Sequence, residues 1–208
     1  MDKKEIVLAI FSLLLGFLYR KVMRMIIAFT GAGISQESGI PTFENRPELR
    51  KKLTRDYAND YPEEYNEELK QLKANINDAK PNDAHNALAE YHIPVITMNI
   101  DGLHKMAGSD VLELHGALPE DDELDNACLL VGKPILYGDI APSYKKALDL
   151  VSELGKGDVF LIIGASQYTS ISRELRELAY INGAEIVEIQ KDAEREVRRF
   201  LEEYMCKK

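Results

Sequence analysis

Short apolar runs alternate along the chain with segments in which apolar residues recur every three or four positions. The runs predict buried strands, and the periodic segments predict helices with one apolar face. The predicted strands cover residues 25–30, 94–97, 111–115, 134–137, 158–163 and 185–189. Alternating strands and helices are typical of an α/β protein.

The helical periodicity is clearest over residues 61–76, where apolar side chains fall on one face of a helix. Asn82 or Asp83, after Pro81, is the predicted N-cap of the next helix. Further helices are predicted over residues 144–151, 173–180 and 193–204. We therefore expect a doubly wound, mostly parallel, Rossmann-like sheet.

Two segments do not fit this alternation. Residues 6–19 form an apolar run whose helical length, roughly 21 Å, is short of the roughly 30 Å core of a bilayer. They are interpreted as a helix packed on the domain, as an extension before a start at Met23 or Met25, or, less favoured, as a membrane-associating segment. Residues 118–132 are polar and acidic, which predicts a solvated excursion rather than core.

Composition narrows the class of protein and its partners. A chain of 208 residues, 45% hydrophobic, fits one domain with a packed core. The net charge of −9 argues against a nucleic-acid partner, which requires a basic face. Cys128 and Cys206 form no Cys-x-x-Cys motif, which predicts free thiols, a reducing cytoplasmic location and no metal site built from cysteines.

A glycine-rich turn follows the first predicted strand. Gly31-Ala32-Gly33 leads through Ser35 into a helix start, an arrangement that gathers backbone N–H groups into an anion site suited to a pyrophosphate. Gln36 stands where the dinucleotide-binding fingerprint of dehydrogenases requires glycine, so this turn belongs to another type.

Polar side chains follow the next two predicted strands. Asn99 and Asp101 offer hydrogen-bond donors and acceptors at the end of one strand, and His115 ends the other. An imidazole with a pKa near 6.5 takes a proton from a hydroxyl group near neutral pH. With the turn at residues 31–35, these residues predict a dinucleotide site with chemistry at a ribose.

Residues 31–43, Gly-Ala-Gly-Ile-Ser-Gln-Glu-Ser-Gly-Ile-Pro-Thr-Phe, resemble the cofactor loop of the sirtuins, the NAD-dependent protein deacylases. Similar motifs follow in that family's order at 81–89, 97–104 and 113–116, with weaker matches at 134–139, 164–166 and 187–190. The resemblance covers roughly residues 25 to 190. It implies an NAD-binding catalytic domain over 25–208, after an N-terminal helix or extension at 1–24.

The resemblance also implies a role for each matching residue. His115 is the general base, Asn99 and Asp101 hold the nicotinamide and its ribose, and Phe43 shields the ribose after nicotinamide leaves. The implied cofactor-binding residues are Gly31, Ala32, Gly33, Ser35, Thr42, Phe43, Met98, Asn99, Ile100, Asp101, His115, Gly164, Ser166 and Gln190. Tyr137 and Gly138 form a wall for the acyl-lysine substrate, His85 is structural, and His104 lies beside the site without a catalytic task.

The sequence departs from the family pattern at three places. The cofactor loop ends Thr42-Phe43-Glu44 where the family commonly has Asp-Phe-Arg, and Arg46 is near enough in sequence to replace the lost arginine. Met98 stands in place of the usual glutamine. The four cysteines of the family's zinc module are missing, which implies a zinc-free member with a much reduced insertion at about 117–133.

The leading hypothesis is NAD-dependent removal of an acyl group from lysine. The acyl oxygen attacks C1′ of the nicotinamide ribose, His115 activates a ribose hydroxyl, and the products are nicotinamide and O-acyl-ADP-ribose. A reduced insertion also fits an NAD glycohydrolase or an ADP-ribosyltransferase with the same NAD site, or a non-catalytic sensor of NAD or ADP-ribose. The sequence leaves open the acyl preference, the protein substrate and the oligomeric state.

Overall fold

The computed structural model describes residues 24–42, 47–167 and 169–206, together with residue 5. Its five strands form one sheet, and every pairing is parallel. The strands are β1 (Ile26–Thr30), β2 (Val95–Thr97), β3 (Val111–Glu113), β4 (Val159–Ile163) and β5 (Glu185–Ile189). The helices are α1 (Pro47–Lys52), α2 (Arg55–Asp60), α3 (Pro62–Ile76), α4 (Asp83–Glu90), α5 (Leu103–Met106), α6 (Ser143–Ser152), α7 (Ser170–Ile181) and α8 (Ala193–Cys206). Two 3-10 helices cover Ala32–Ser38 and Leu124–Leu129.

The central strands are buried on both faces. In β1, Ile26 and Ala28 pack toward α4 and α8, whereas Ile27 and Phe29 pack toward α6 and α7. Phe29 stacks on Phe160 of β4, with the ring centroids 6.0 Å apart. Because helices cover both faces, these strands appear in the sequence as continuous apolar runs rather than as an alternation. The prediction of a doubly wound parallel sheet is confirmed.

The strand order, β3-β2-β1-β4-β5, indicates where on the sheet a ligand can bind. The chain moves outward from β1 to β3 and then returns across the sheet to β4, so the order reverses between β1 and β4. Ligands of open α/β sheets bind outside the carboxyl ends of the strands at such a switch point. Thr30 and Ile163 are paired at this edge, which brings the turns after β1 and β4 together.

A smaller apolar cluster lies outside the sheet and joins α1, α2, α3 and the second 3-10 helix. Leu124 and Ala127 of that 3-10 helix are buried against α3. Acidic residues of the same segment form ion pairs with Lys70, Lys73 and Lys133. The expectation that residues 118–132 are solvated rather than core was therefore wrong in part, because two apolar side chains fix the segment to α3.

Residues 134–137 were predicted to be a strand, and this prediction was wrong. Tyr137 forms only an isolated bridge with Thr54. Its N–H donates to the carbonyl of Leu53 at 3.2 Å, and its carbonyl accepts from Arg55 at 2.9 Å. The backbone partners of Tyr137 thus lie at the junction of α1 and α2, and Ile135 N–H donates to the carbonyl of His115, after the end of β3, at 2.8 Å.

The predicted N-cap of α4 is confirmed as Asn82. Its Oδ1 accepts from the N–H groups of Ala84 at 3.1 Å and His85 at 3.3 Å.

Within the described part of the chain, no helix is long and apolar enough to cross a membrane. The apolar run at residues 6–19 lies outside the described residues.

Candidate active site

A cavity of about 640 Å³ opens at the carboxyl edge of the sheet. Its walls come from the turns after β1, β2, β4 and β5, from α1, and from the segment between β3 and α6. The lining residues are Ala32, Gly33, Gln36, Thr42, Arg50, Leu53, Met98, Asn99, Ile100, His115, Pro134, Ile135, Leu136, Tyr137, Gly138, Asp139, Ala141, Tyr144, Gly164, Ser166, Thr169 and Gln190. A cleft of this volume is typical of a small-molecule site.

The turns after β1 and β4 meet backbone to backbone. Gly33 N–H donates to the carbonyl of Gly164, and Gly31 N–H donates to that of Ile163, each at 3.0 Å. A Cβ on Gly33 would lie 2.5 Å from the Cα of Gly164, closer than atoms can approach. The amides of Gly31 and Gly33 therefore join the two turns, rather than pointing at a ligand as the sequence suggested.

Asn99 is buried at the end of β2 and bridges to the turn after β1. Its Nδ2 donates to the carbonyl of Gly31 at 3.2 Å and to Ser35 Oγ at 3.1 Å. Because a carbonyl oxygen only accepts, these contacts identify the nitrogen end of the amide. Among the described residues no donor reaches Asn99 Oδ1, which leaves this acceptor for the cavity.

Asp101 holds Asn99 indirectly, through the hydroxyl of Ser35. Ser35 Oγ donates to Asp101 Oδ2 at 2.7 Å, and the N–H of Leu103 donates to Oδ1 at 3.0 Å. Both carboxylate oxygens are thus engaged within the protein. Asp101 and Ser35 lie one layer behind the cavity wall and hold Asn99 in place.

A buried relay also fixes the backbone of Asn99. Thr30 Oγ1 donates its one proton to Thr97 Oγ1 at 2.8 Å. Thr30 Oγ1 must therefore accept from His104 Nε2, which lies 2.9 Å away. Thr97 Oγ1 accepts in turn from the N–H of Asn99 at 3.0 Å. Burial, with a smaller contribution from nearby His85, lowers the pKa of His104 to about 3, and burial lowers that of His85 to about 4. Both rings are neutral at physiological pH, and His104 has a supporting role that the sequence did not reveal.

His115 lies on the cavity wall with a defined tautomer. Its Nδ1 is 3.1 Å from the carbonyl oxygen of Met98, and its Nε2 is 3.1 Å from the hydroxyl of Tyr144. Because a carbonyl only accepts, Nδ1 carries the proton in the neutral ring and Nε2 carries the lone pair. Burial lowers the pKa of His115, and the bond to Met98 opposes that shift. The structure therefore has a neutral imidazole on the cavity wall, with its unprotonated Nε2 in contact with Tyr144.

The cavity wall contains most of the residues implied by the resemblance: Ala32, Gly33, Thr42, Met98, Asn99, Ile100, His115, Tyr137, Gly138, Gly164, Ser166 and Gln190. Gly31, Ser35 and Asp101 lie behind that wall. Phe43, like the two charged residues proposed to alter this loop, Glu44 and Arg46, lies outside the described residues.

Several wall residues were missed by the sequence reasoning. Arg50 brings a cation to the wall from α1, a helix too short to show periodicity. Tyr144 was assigned to an apolar stripe on α6, but its hydroxyl reaches His115. Thr169 Oγ1 lies 3.5 Å from the sulfur of Met98 and caps α7. Only the capping pattern of Thr169 was visible in the sequence.

Arg55 joins the insertion to the wall at Tyr137 and Gly138. Its Nε and Nη2 both donate to the carboxylate of Asp139 at 2.8 Å, a bidentate pair that lowers the pKa of Asp139. The same guanidinium donates to the carbonyls of Cys128 at 3.0 Å and Leu130 at 3.2 Å. We call Arg55, Cys128, Leu130 and Asp139 the Arg55 network.

Within the described ranges, no cluster of three or more His, Cys, Asp or Glu residues is placed to hold a metal ion.

Comparisons with known proteins agree with this geometry. The model of the Sir2 family matches residues 31–128. An NAD-dependent protein deacetylase of Thermodesulfovibrio yellowstonii is 34% identical over 201 residues, which cover 79% of this chain and 78% of that protein. An NAD-dependent protein deacylase of Pyrococcus furiosus is also 34% identical, over 203 residues covering 79% and 81%.

Solved structures give the same result. A Sir2 structure with a p53 peptide and NAD+ superposes with a TM-score of 0.72 at 26% identity, covering 89% of this chain and 95% of that chain. A second, with the inhibitor EX-527, 2′-O-acetyl-ADP-ribose and deacetylated p53 peptide, has a TM-score of 0.73 at 27% identity, covering 88% and 94%. The chain therefore belongs to the Sir2 family, the sirtuins.

Proposed function

We propose that this protein is an NAD-dependent protein-lysine deacylase that releases nicotinamide and O-acyl-ADP-ribose. The observation that carries the proposal is the unprotonated Nε2 of His115, placed on a cavity whose wall continues to Tyr137 and Gly138. Relatives named as deacylases and deacetylases support it, as does the neighbour solved with both a peptide and NAD+.

The wall residues fit a dinucleotide. The contact between Gly33 and Gly164 leaves a narrow floor that a Cβ would fill. Ser166 and Gln190 follow β4 and β5 at the adenosine side, and Gln190 is held there by a 3.2 Å bond to the carbonyl of Ala165. When bound, NAD supplies a ribose carbon from which nicotinamide departs and ribose hydroxyls that receive the acyl group.

The residues of the chain divide the work between orientation and proton transfer. Asn99 is fixed through both its backbone and its Nδ2, so Oδ1 presents an acceptor to the amide of nicotinamide. His115 Nε2 takes the proton of a ribose hydroxyl, and the imidazolium that forms keeps its Nδ1–H on the carbonyl of Met98. Tyr137 and Gly138 form the wall along which the acyl-lysine enters.

The proposal is tested by incubating the protein with NAD, with and without an acetyl-lysine peptide. We expect nicotinamide release only with the peptide, and O-acetyl-ADP-ribose in amounts equal to the deacetylated peptide, as measured by mass spectrometry. Asn99→Ala is expected to lower the rate roughly 100-fold, because an orienting polar contact is lost. Free ADP-ribose formed without peptide would favour a glycohydrolase, and tight NAD binding without turnover across an acyl panel would favour a sensor.

The pH dependence of the reaction follows from the state of His115. The base works when it is neutral, which is the case above its pKa, and burial lowers that pKa. We therefore expect kcat/KM to persist as the pH falls below the ordinary histidine value of about 6.5, and to decline only at a more acidic midpoint. A midpoint at or above about 6.5 in a profile of kcat/KM against pH would contradict the assignment.

We further propose an NAD-binding unit over residues 25–208 with a reduced insertion at 117–133, acting without zinc and without a nucleic-acid partner. Cys128 and Cys206 are both free, which supports a reducing compartment such as the cytoplasm. A membrane contact through residues 6–19 remains the less favoured interpretation.

A further inference from the structure

Tyr144 belongs to the first turn of α6 and has its hydroxyl on the catalytic base. The distance between its oxygen and His115 Nε2 is 3.1 Å, and the two rings lie 6.2 Å apart between centroids at an angle of 42°. The other ring nitrogen of His115 contacts the carbonyl of Met98. The imidazole is thus held at both ends, by α6 on one side and by the end of β2 on the other.

The direction of both hydrogen bonds is determined by the groups involved. The carbonyl of Met98 accepts, so Nδ1 is the donor and Nε2 of the neutral ring is an acceptor. Tyr144 therefore donates its O–H to Nε2. Burial raises the pKa of Tyr144, so the phenol keeps its proton over the working pH range. In this structure Tyr144 occupies the lone pair that must receive a ribose proton.

We propose that Tyr144 is a positioning residue that holds His115 as a neutral base with Nε2 turned toward the cavity, and releases that atom to the ribose hydroxyl. Its hydrogen bond exists only with the neutral ring, because protonated Nε2 has no lone pair to accept it. A donor of this kind disfavours protonation of the ring. The kinetic part of this inference rests on the proposed function, whereas the titration of His115 does not.

The hydrogen bond from Tyr144 is the main specific contact on His115 Nε2 among the described residues. Burial lowers the pKa of His115 and the carbonyl of Met98 raises it, and no charged side chain of the described residues contributes. Tyr137, from the segment before α6, and Glu174, on α7, act on Tyr144 and further raise its pKa.

The test is Tyr144→Phe, which keeps the ring that packs beside α7 and removes only the hydroxyl. We expect the pKa of the His115 imidazole, followed by NMR and assigned with His115→Asn, to rise by about 0.5 to 1 pH unit. The acidic limb of kcat/KM for NAD should move upward by the same amount. The rate should fall by up to about 3- to 10-fold on the acidic limb, at pH values below both pKa values, and change little above pH 8.

Tyr180→Phe is the matched control, because Tyr180 is an exposed tyrosine on α7 away from the cavity. It should leave both the titration and the pH profile unchanged. A purely structural role for Tyr144 would lower the rate equally at every pH, and an unchanged His115 titration in Tyr144→Phe would overturn the inference. If the wild-type protein fails to deacylate any peptide, the proposed function fails, and the NMR titration still decides the role of Tyr144.

Discussion

Gly164→Ala is expected to abolish NAD binding and to lower the free energy of unfolding by about 2 to 4 kcal/mol. An added Cβ would lie 2.4 Å from the Cα of Gly33 and 2.4 Å from the amide nitrogen of Ile34, both of which are backbone atoms. The φ of Gly164 is +56°, a conformation that alanine adopts at a further cost of about 1 kcal/mol. The turns after β1 and β4 would have to separate, which would open the floor of the cavity.

Thermal denaturation and isothermal calorimetry with NAD provide the measurements for this variant. Gly155→Ala is the control, because the nearest atom to its added Cβ, a carboxylate oxygen of Asp158, is 3.9 Å away in ordinary contact. We expect that control to keep both its Tm and its affinity for NAD. An unchanged affinity in Gly164→Ala would show that the contact with Gly33 does not shape the site.

Arg55→Met is expected to destabilise the insertion and to reduce peptide-dependent turnover more than NAD binding. The side chains of Arg55 and Asp139 are 22% and 13% exposed, so removal of the guanidinium leaves a largely buried carboxylate and two carbonyls without their donor. The expected loss is about 2 to 4 kcal/mol. Replacing Asp139 as well, in Arg55→Met with Asp139→Asn, should recover part of it, because the unpaired charge is then gone.

The Arg55 network also predicts a dependence of stability on pH. Arg55 holds the pKa of Asp139 below its ordinary value, so the pair stabilises the protein above that ordinary value. The stabilisation is lost as the pH falls through the lowered pKa. Urea titrations at pH 7 and at about pH 3 should show this contribution shrinking in the wild type but not in the double variant. Arg195→Met, which removes an exposed surface ion pair, should leave the free energy of unfolding unchanged.

EDTA should leave the Tm of the wild-type protein unchanged.

The sequence was sufficient for the sheet because the central strands are covered on both faces. Their continuous apolar runs predicted the strands, whereas the strand order and its switch point came from the structure. Helices α1 and α2 were missed because six residues do not show a helical period. The prediction of a strand at residues 134–137 failed because an apolar run indicates burial but not its partner, and here Tyr137 pairs with the junction of α1 and α2.

The sequence predicted which residues belong to the candidate site, but not which of them face the cavity and which lie behind its wall. Asn99 and His115 face the cavity as expected, whereas Asp101 turns back to Ser35. That difference depends on side-chain directions at the end of β2, which a one-dimensional pattern does not contain. Tyr144 was hidden for a similar reason, because the apolar ring of a tyrosine completes a helical stripe while its hydroxyl reaches elsewhere.

Cys128 forms its hydrogen bonds to the rest of the insertion's surroundings through its peptide group, while its side chain packs on the apolar cluster around α3. Its N–H donates to Asn66 Oδ1 at 2.8 Å, and its carbonyl accepts from Arg55. Its sulfur takes part in none of the bonds that join the insertion to Asp139. Oxidants act on thiolates, and the bonds of the Arg55 network use backbone carbonyls and a carboxylate instead. We therefore expect these bonds to form whether the Cys128 thiol is reduced or oxidised.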